Sequence, residues 1–183
     1  VNPKRCGHLD GKQVVDLATA VQRVRAAVEA RRDPSFLIMA RTDVRAVEGL
    51  SVAIDRAKAL VDAGADAIFP EAMAGLGEFE AVAKAVDVPV LANMTEFGKA
   101  DLLTNAELAS AGIRMVIYPV SLLRVAMGAA ERALDTLAAE GSLRAEVPGM
   151  QHRSRLYELL DYEGYNRFDG SIFTYTPDAS VRH

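Results

Sequence analysis

Lys4-Arg5-Cys6-Gly7-His8 sets the only cysteine of the chain beside two cations and an imidazole. A thiol in such a field gives up its proton more readily than a free side chain does. Cys6 can therefore act as an acid or base near neutral pH, with His8 and Lys4 as partners in proton transfer. Gly7 lets a substrate come close to the backbone. The competing reading of Cys6 is a small buried apolar residue. A second set of polar residues recurs at the ends of apolar runs. Arg41, Thr42 and Asp43 follow one run, Glu71 the next, Asn93, Thr95 and Glu96 the third, and Ser121 and Arg124 the fourth. Arg41, Arg124 and Arg153 could clamp carboxylates in bidentate fashion. Asn93 and Thr95 could hold a further carboxylate through neutral hydrogen bonds. Glu71 could act as a base or orient a metal-bound water. The set suits a small polycarboxylate. Each residue also has a plainer reading: Ser121 as a helix N-cap, Thr42 and Asp43 as caps, the others as solvated loop residues.

Elements that would carry these residues can be read from periodicity. Val14, Leu17, Ala18, Val21, Val24 and Val28 predict a helix over 12–31, stopped by Asp33-Pro34. The apolar run 36–40 predicts a strand buried on both faces. A helix over 50–63 ends at Gly64, and a strand follows at 67–69. A helix over 75–86 precedes a strand at 88–92. Thr104 and Glu107 form a capping box, Gly112 ends that short helix, and a strand runs over 115–118. A long helix is expected over 120–140. The segments 62–69 and 110–117 repeat a helix, Ala-Gly, strand pattern, in which glycine supplies the left-handed helix end. Repeated α/β units imply a parallel sheet, whose C-terminal strand ends lie on one face and build the site. Residues 153–160 read as helical, Tyr157, Tyr162, Tyr165 and Phe168 cluster, and 174–183 reads as a disordered tail.

The totals bound the rest. A length of 183 residues, half of them hydrophobic, fits one domain with ample core. A net charge of −4 gives no electrostatic case for nucleic acid or an acidic membrane. One cysteine cannot form an internal disulfide, which fits a reducing cytoplasm, and no apolar run reaches membrane-spanning length. The chain opens Val1-Asn2-Pro3 with no initiator Met, as a processed or cut end would.

The motifs together resemble the isocitrate lyase and phosphoenolpyruvate mutase superfamily. The resemblance rests on Lys4-Arg5-Cys6-Gly7-His8, Ile38-Met39-Ala40-Arg41-Thr42-Asp43, Phe69-Pro70-Glu71-Ala72, Leu91-Ala92-Asn93-Met94-Thr95-Glu96-Phe97-Gly98 and Tyr118-Pro119-Val120-Ser121, in that order, and runs from Pro3 to about Asp169. It is closest in pattern to the branch that cleaves 2-methylisocitrate. It implies an α/β fold of the TIM-barrel-like (α/β)8 type. The chain would supply the C-terminal half of the barrel over 1–141, with four parallel strands, followed by terminal helices over 142–173 that swap between subunits. It implies a retro-aldol carbon–carbon cleavage in which Cys6 protonates the carbanion. Glu71, His8 and Lys4 would join the proton chemistry, and Cys6, Gly7, Arg41, Glu71, Asn93, Met94, Thr95, Ser121, Arg124 and Arg153 would border substrate. It also implies Mg²⁺ or Mn²⁺, with direct ligands absent from this chain and Glu71 reaching the ion through water, and a homodimer or homotetramer at full length. A fragment of this kind is expected to be inactive alone. The alternatives are a carboxyphosphonoenolpyruvate phosphonomutase-like enzyme or another 2-hydroxy or oxo-acid lyase, and, from another class, a non-catalytic half-barrel remnant.

Overall fold

Glycine turns and side-chain caps divide the chain into alternating helices and strands. The structure, a computed structural model, describes residues 11–98 and 101–174. Four strands occur among them: β1 (Met39–Thr42), β2 (Ala67–Pro70), β3 (Leu91–Asn93) and β4 (Met115–Ile117). The helices are α1 (Leu17–Ala30), α2 (Arg45–Glu48), α3 (Leu50–Asp62), α4 (Leu76–Ala85), α5 (Asn105–Ser110), α6 (Ser121–Glu140), α7 (Arg153–Leu159) and α8 (Tyr162–Phe173). The chain divides into two compact units, Val1–Arg124 and Val125–His183.

In the first unit every strand pairing is parallel. β1 pairs with β2, with Arg41 opposite Phe69, and β3 pairs with β4, with Asn93 opposite Ile117. A single parallel bridge from Ile68 to Val90 joins β2 to β3. The helices between the strands are the crossovers that parallel pairing requires. Alternation then sorts the side chains. Ala40, Ile68, Val90 and Ala92 point to the helix side. There they pack in two buried clusters, one with Ala57, Leu60 and Ala65, the other with Phe79, Val82, Leu108 and Ile113. Met39, Arg41, Phe69 and Asn93 fall on the opposite face.

Local chemistry explains the turns. Gly64 and Gly112 sit at φ 101° and 85° at the ends of α3 and α5, where glycine avoids the steric cost of the left-handed region. At Gly64 a Cβ would also lie 3.0 Å from Val28 Cγ2, so its absence lets α1 approach. The capping box of Thr104 and Glu107 is complete, each side chain accepting a backbone N–H of the other.

Several elements differ from expectation. α1 begins at Leu17, not at residue 12, because Asp16 accepts the N–H of Thr19 at 2.7 Å and caps it there. The first strand is not the doubly buried run 36–40. It starts at Met39 and includes Arg41 and Thr42, while Phe36 and Leu37 are 66% and 70% exposed. The Asp66 carboxylate takes the Ile38 N–H at 2.8 Å, and its main-chain N–H returns to the Ile38 carbonyl at 2.8 Å, which fixes where the ladder begins. The third strand likewise ends on Asn93, one residue later than expected.

The second unit holds the rest of α6, a 3-10 turn at Val147–Gly149, α7 and α8. The Tyr157 and Tyr162 rings stack at 4.8 Å. Tyr165, Phe168, Ile172 and Phe173 are exposed on α8. The expected tail over 174–183 lies outside the described residues except for Thr174. No helix among the described residues is long and apolar enough to cross a membrane.

Candidate active site

Three polar residues meet on the sheet face opposite the helices, each at or just past the C-terminal end of its strand. Glu71 follows β2 and is buried. Its Oε2 is ion-paired with Arg41 Nη2 of β1 at 3.0 Å and accepts from Asn93 Nδ2 of β3 at 3.3 Å. Its Oε1 accepts the Ala72 N–H at 3.1 Å. The Glu71 main-chain N–H extends the ladder to the Thr42 carbonyl at 2.9 Å, so its position follows from sheet register. Asn93 Oδ1 is buried and has no partner among the described residues, which leaves one acceptor of this row unused.

Arg41 joins this row to a second carboxylate. Its Nε donates to Asp43 Oδ1 at 2.8 Å, and its Nη2 to Asp43 Oδ2 at 3.2 Å. The guanidinium lies over the Phe69 ring, 4.9 Å from the centroid. Lys12 reaches the same Asp43 carboxylate at 2.8 Å. Burial of Asp43 works against its charge, but the hydrogen bonds from Arg41 and Lys12 outweigh that and hold its carboxyl below the usual range.

A second cluster forms where β3 and β4 run into their following segments. Arg124 Nη1 donates to Glu96 Oε2 at 2.8 Å and to the Glu96 carbonyl at 3.1 Å. The Ser121 hydroxyl donates to Glu96 Oε1. The Ser121 hydroxyl, the main-chain N–H of Glu96 and the Arg124 guanidinium together hold the Glu96 carboxyl below its ordinary value. Phe97, 93% exposed, lays its ring 5.4 Å from the guanidinium carbon of Arg124. Ala72, Phe97 and Val120, one beyond each of β2, β3 and β4, hold φ of 63°, 61° and 56°. Side chains rarely adopt this backbone state, and it concentrates at functional loops.

The residues singled out from sequence thus separate. Arg41, Glu71 and Asn93 meet in one row; Ser121 and Arg124 meet around Glu96. Thr95 is half-buried, two residues past Asn93. Met94 is buried in the helix-side core, so its main chain is what remains for a ligand. Its N–H is already committed to the Ile117 carbonyl at 2.9 Å. Ser121 is the first helical residue of α6 and its hydroxyl turns to Glu96, away from a capping role. Thr42 does accept the Val44 N–H, at 3.4 Å. Arg153 opens α7 in the second unit. Lys4, Cys6, Gly7 and His8 lie outside the described residues. Lys12 and Phe97 were not anticipated as contributors. Lys12 carried no motif signal, and Phe97 read only as part of a strand-end motif.

Residues 4–138 match the phosphoenolpyruvate phosphomutase family model. The chain belongs to that family. It is 57% identical to a probable 2-methylisocitrate lyase 2 of Corynebacterium glutamicum, over 98% of this chain and 58% of that protein. It is 47% identical to the 2-methylisocitrate lyase of Escherichia coli, over 94% of this chain and 58% of that protein. Among solved structures, 2,3-dimethylmalate lyase, a member of the PEP mutase/isocitrate lyase superfamily, superposes with a TM-score of 0.79 at 31% identity, over 97% of this chain and 61% of that one. This family member therefore spans just under three-fifths of the length of the curated relatives it matches.

Proposed function

We propose that this chain carries one side of the substrate site of a magnesium-assisted carbon–carbon lyase that cleaves 2-methylisocitrate to pyruvate and succinate. The observation that supports this most is the Arg41–Glu71–Asn93 row: a guanidinium, a buried carboxylate and an unused amide oxygen at three successive strand ends. The identity to 2-methylisocitrate lyases across nearly the whole chain supports reading the row as part of that reaction.

The chemistry assigns roles to the chain's own groups. A base takes the proton of the substrate hydroxyl. The adjacent carbon–carbon bond breaks, the oxygen becomes the ketone of pyruvate, and the bonding pair passes to the carbon next to a carboxylate. The Cys6 thiol gives that carbon its proton, yielding succinate, while Lys4 and His8 tune the thiol. Arg41, Arg124 and Arg153 hold carboxylates. Asn93, Thr95 and Ser121 add neutral hydrogen bonds, and the main chain of Gly7 and Met94 borders the substrate. Glu71, tied on both oxygens, orients its neighbours. The family resemblance brings a divalent cation, Mg²⁺ or Mn²⁺. The described residues do not fit it as direct ligands, since no group of three His, Cys, Asp or Glu gathers among them. Glu71 would meet the ion only through water.

The same reading treats β1 to β4 as half of an (α/β)8 barrel over residues 1–141, with 142–173 as terminal helices. It makes the complete protein a cytoplasmic homodimer or homotetramer with the aromatic cluster of α7 and α8 at its interface. The family model's own name supports a phosphonomutase as the second reading. One experiment separates them. The Corynebacterium relative is rebuilt with the corresponding segment replaced by this chain and assayed with 2-methylisocitrate, isocitrate and phosphoenolpyruvate. Pyruvate release from 2-methylisocitrate in preference to isocitrate is expected, with none from the 183-residue chain alone. Phosphonopyruvate formation, or turnover of isocitrate alone, would overturn the assignment. Robust turnover by the isolated chain would overturn the half-barrel reading.

A further inference from the structure

We propose that Glu96 and Phe97 form a positioning clamp that presents one edge of the Arg124 guanidinium to a ligand carboxylate. The inference rests on the reading of Arg124 as a carboxylate-binding residue and adds how that residue is held.

A guanidinium offers five N–H donors along edges that accept a carboxylate in two parallel bonds. Among the described residues, Arg41 and Arg45 use the side edge, Nε with Nη2, for that purpose. Arg41 gives it to Asp43 at 2.8 and 3.2 Å, and Arg45 gives it to Glu78 at 2.8 and 2.6 Å. Arg124 differs. Both of its hydrogen bonds leave from Nη1, to Glu96 Oε2 at 2.8 Å and to the Glu96 carbonyl at 3.1 Å. Its Nε and Nη2 make no hydrogen bond among the described residues. The side edge is therefore the part of Arg124 left open, on a side chain that is 38% accessible.

The clamp is itself held. The Ser121 hydroxyl donates to the other Glu96 oxygen, so the carboxylate is fixed at both ends. The Phe97 ring stacks on the guanidinium, and the rest of that ring faces solvent. An exposed phenyl at a left-handed backbone position contributes little to the core. Its one described ring contact is with Arg124. A long, flexible arginine normally loses much rotamer freedom when it binds. Fixing Nη1 and the ring face beforehand removes part of that cost and leaves the two-donor edge without a hydrogen-bond partner among the described residues. Glu96 is a positioning residue here, acting through Arg124.

The test uses the 183-residue chain with succinate as the probe. Phenylglyoxal labelling of Arg124, mapped by peptide mass spectrometry, is followed against succinate concentration in the wild type, Glu96→Ala, Glu96→Gln and Phe97→Ala. Succinate is expected to protect Arg124 in the wild type. Half-protection should need several-fold more succinate in Glu96→Ala, an intermediate amount in Phe97→Ala, and a value near wild type in Glu96→Gln, which keeps an acceptor oxygen. Labelling of Arg155, which pairs with Glu158 in the second unit, should not change and reports on general damage. Unchanged protection in Glu96→Ala would overturn the clamp, and tighter protection there would make Glu96 a competitor of the ligand. Protection in none of the proteins, with labelling intact, would overturn the carboxylate-binding reading of Arg124 and the clamp with it.

Discussion

Arg41 reaches two carboxylates that serve different ends. Glu71 belongs to the row at the strand ends, and Asp43 ties Arg41 to Lys12, six residues beyond Cys6. Because Asp43 titrates lower in the fold than its ordinary value of 3.8, its ionised form stabilises the folded chain. That contribution is fully present above 3.8 and is lost as pH falls through the lower folded value. Asp43→Asn should therefore cost about 1 kcal/mol at neutral pH, after allowing for solvent screening. The gap to wild type should close at acid pH, once the pH has fallen from 3.8 through the lower folded value. Urea unfolding of both proteins at the two pH values measures this; an equal gap at both would assign the cost to packing. Much of this row was legible in the sequence, because Arg41, Glu71 and Asn93 each end an apolar run. The partners were not. Lys12 lies 31 positions from Asp43 and Arg124 lies 28 from Glu96, and no local pattern signals a pairing across that distance.

The α3–β2 turn shows how an element boundary sets the site. Gly64 turns the chain so that Ala67–Pro70 enters the sheet in register with β1, and that register delivers Glu71 to Arg41. Gly64→Ala should be destabilising by about 2 kcal/mol, because φ 101° disfavours a side chain. The new methyl would also meet Val28 at 3.0 Å. Thermal unfolding of Gly64→Ala alongside Gly64→Ala/Val28→Ala separates the two causes. Partial recovery in the double variant is expected, and full recovery would show that the backbone carries no strain. This turn, the capping box at Thr104 and the order of helices and strands could all be read from residue types alone. The start of β1 could not. Phe36 and Leu37 are apolar enough to suggest a buried strand, yet apolarity does not say what covers a residue. The hydrogen bonds of Asp66 to Ile38 place the start of the ladder at Met39, three residues after Phe36.

Taken whole, the first unit is a parallel four-strand arrangement whose helix side is filled and whose other face carries Met39, Phe69 and the polar row. β1 and β4 each pair with one neighbour among the described strands. The chain is just under three-fifths as long as its curated relatives. The order of the motifs made the family legible in the sequence. The chemistry of a complete site was not, since the described residues bring together no metal-binding group. The most direct test of the account is kcat/KM for 2-methylisocitrate in the Corynebacterium chimera with and without Arg41→Ala. The row predicts a fall of at least about 100-fold, the scale expected when a donor to a reacting carboxylate is lost. A folded variant that keeps its kcat/KM would contradict the claim that the Arg41–Glu71–Asn93 row forms the substrate face.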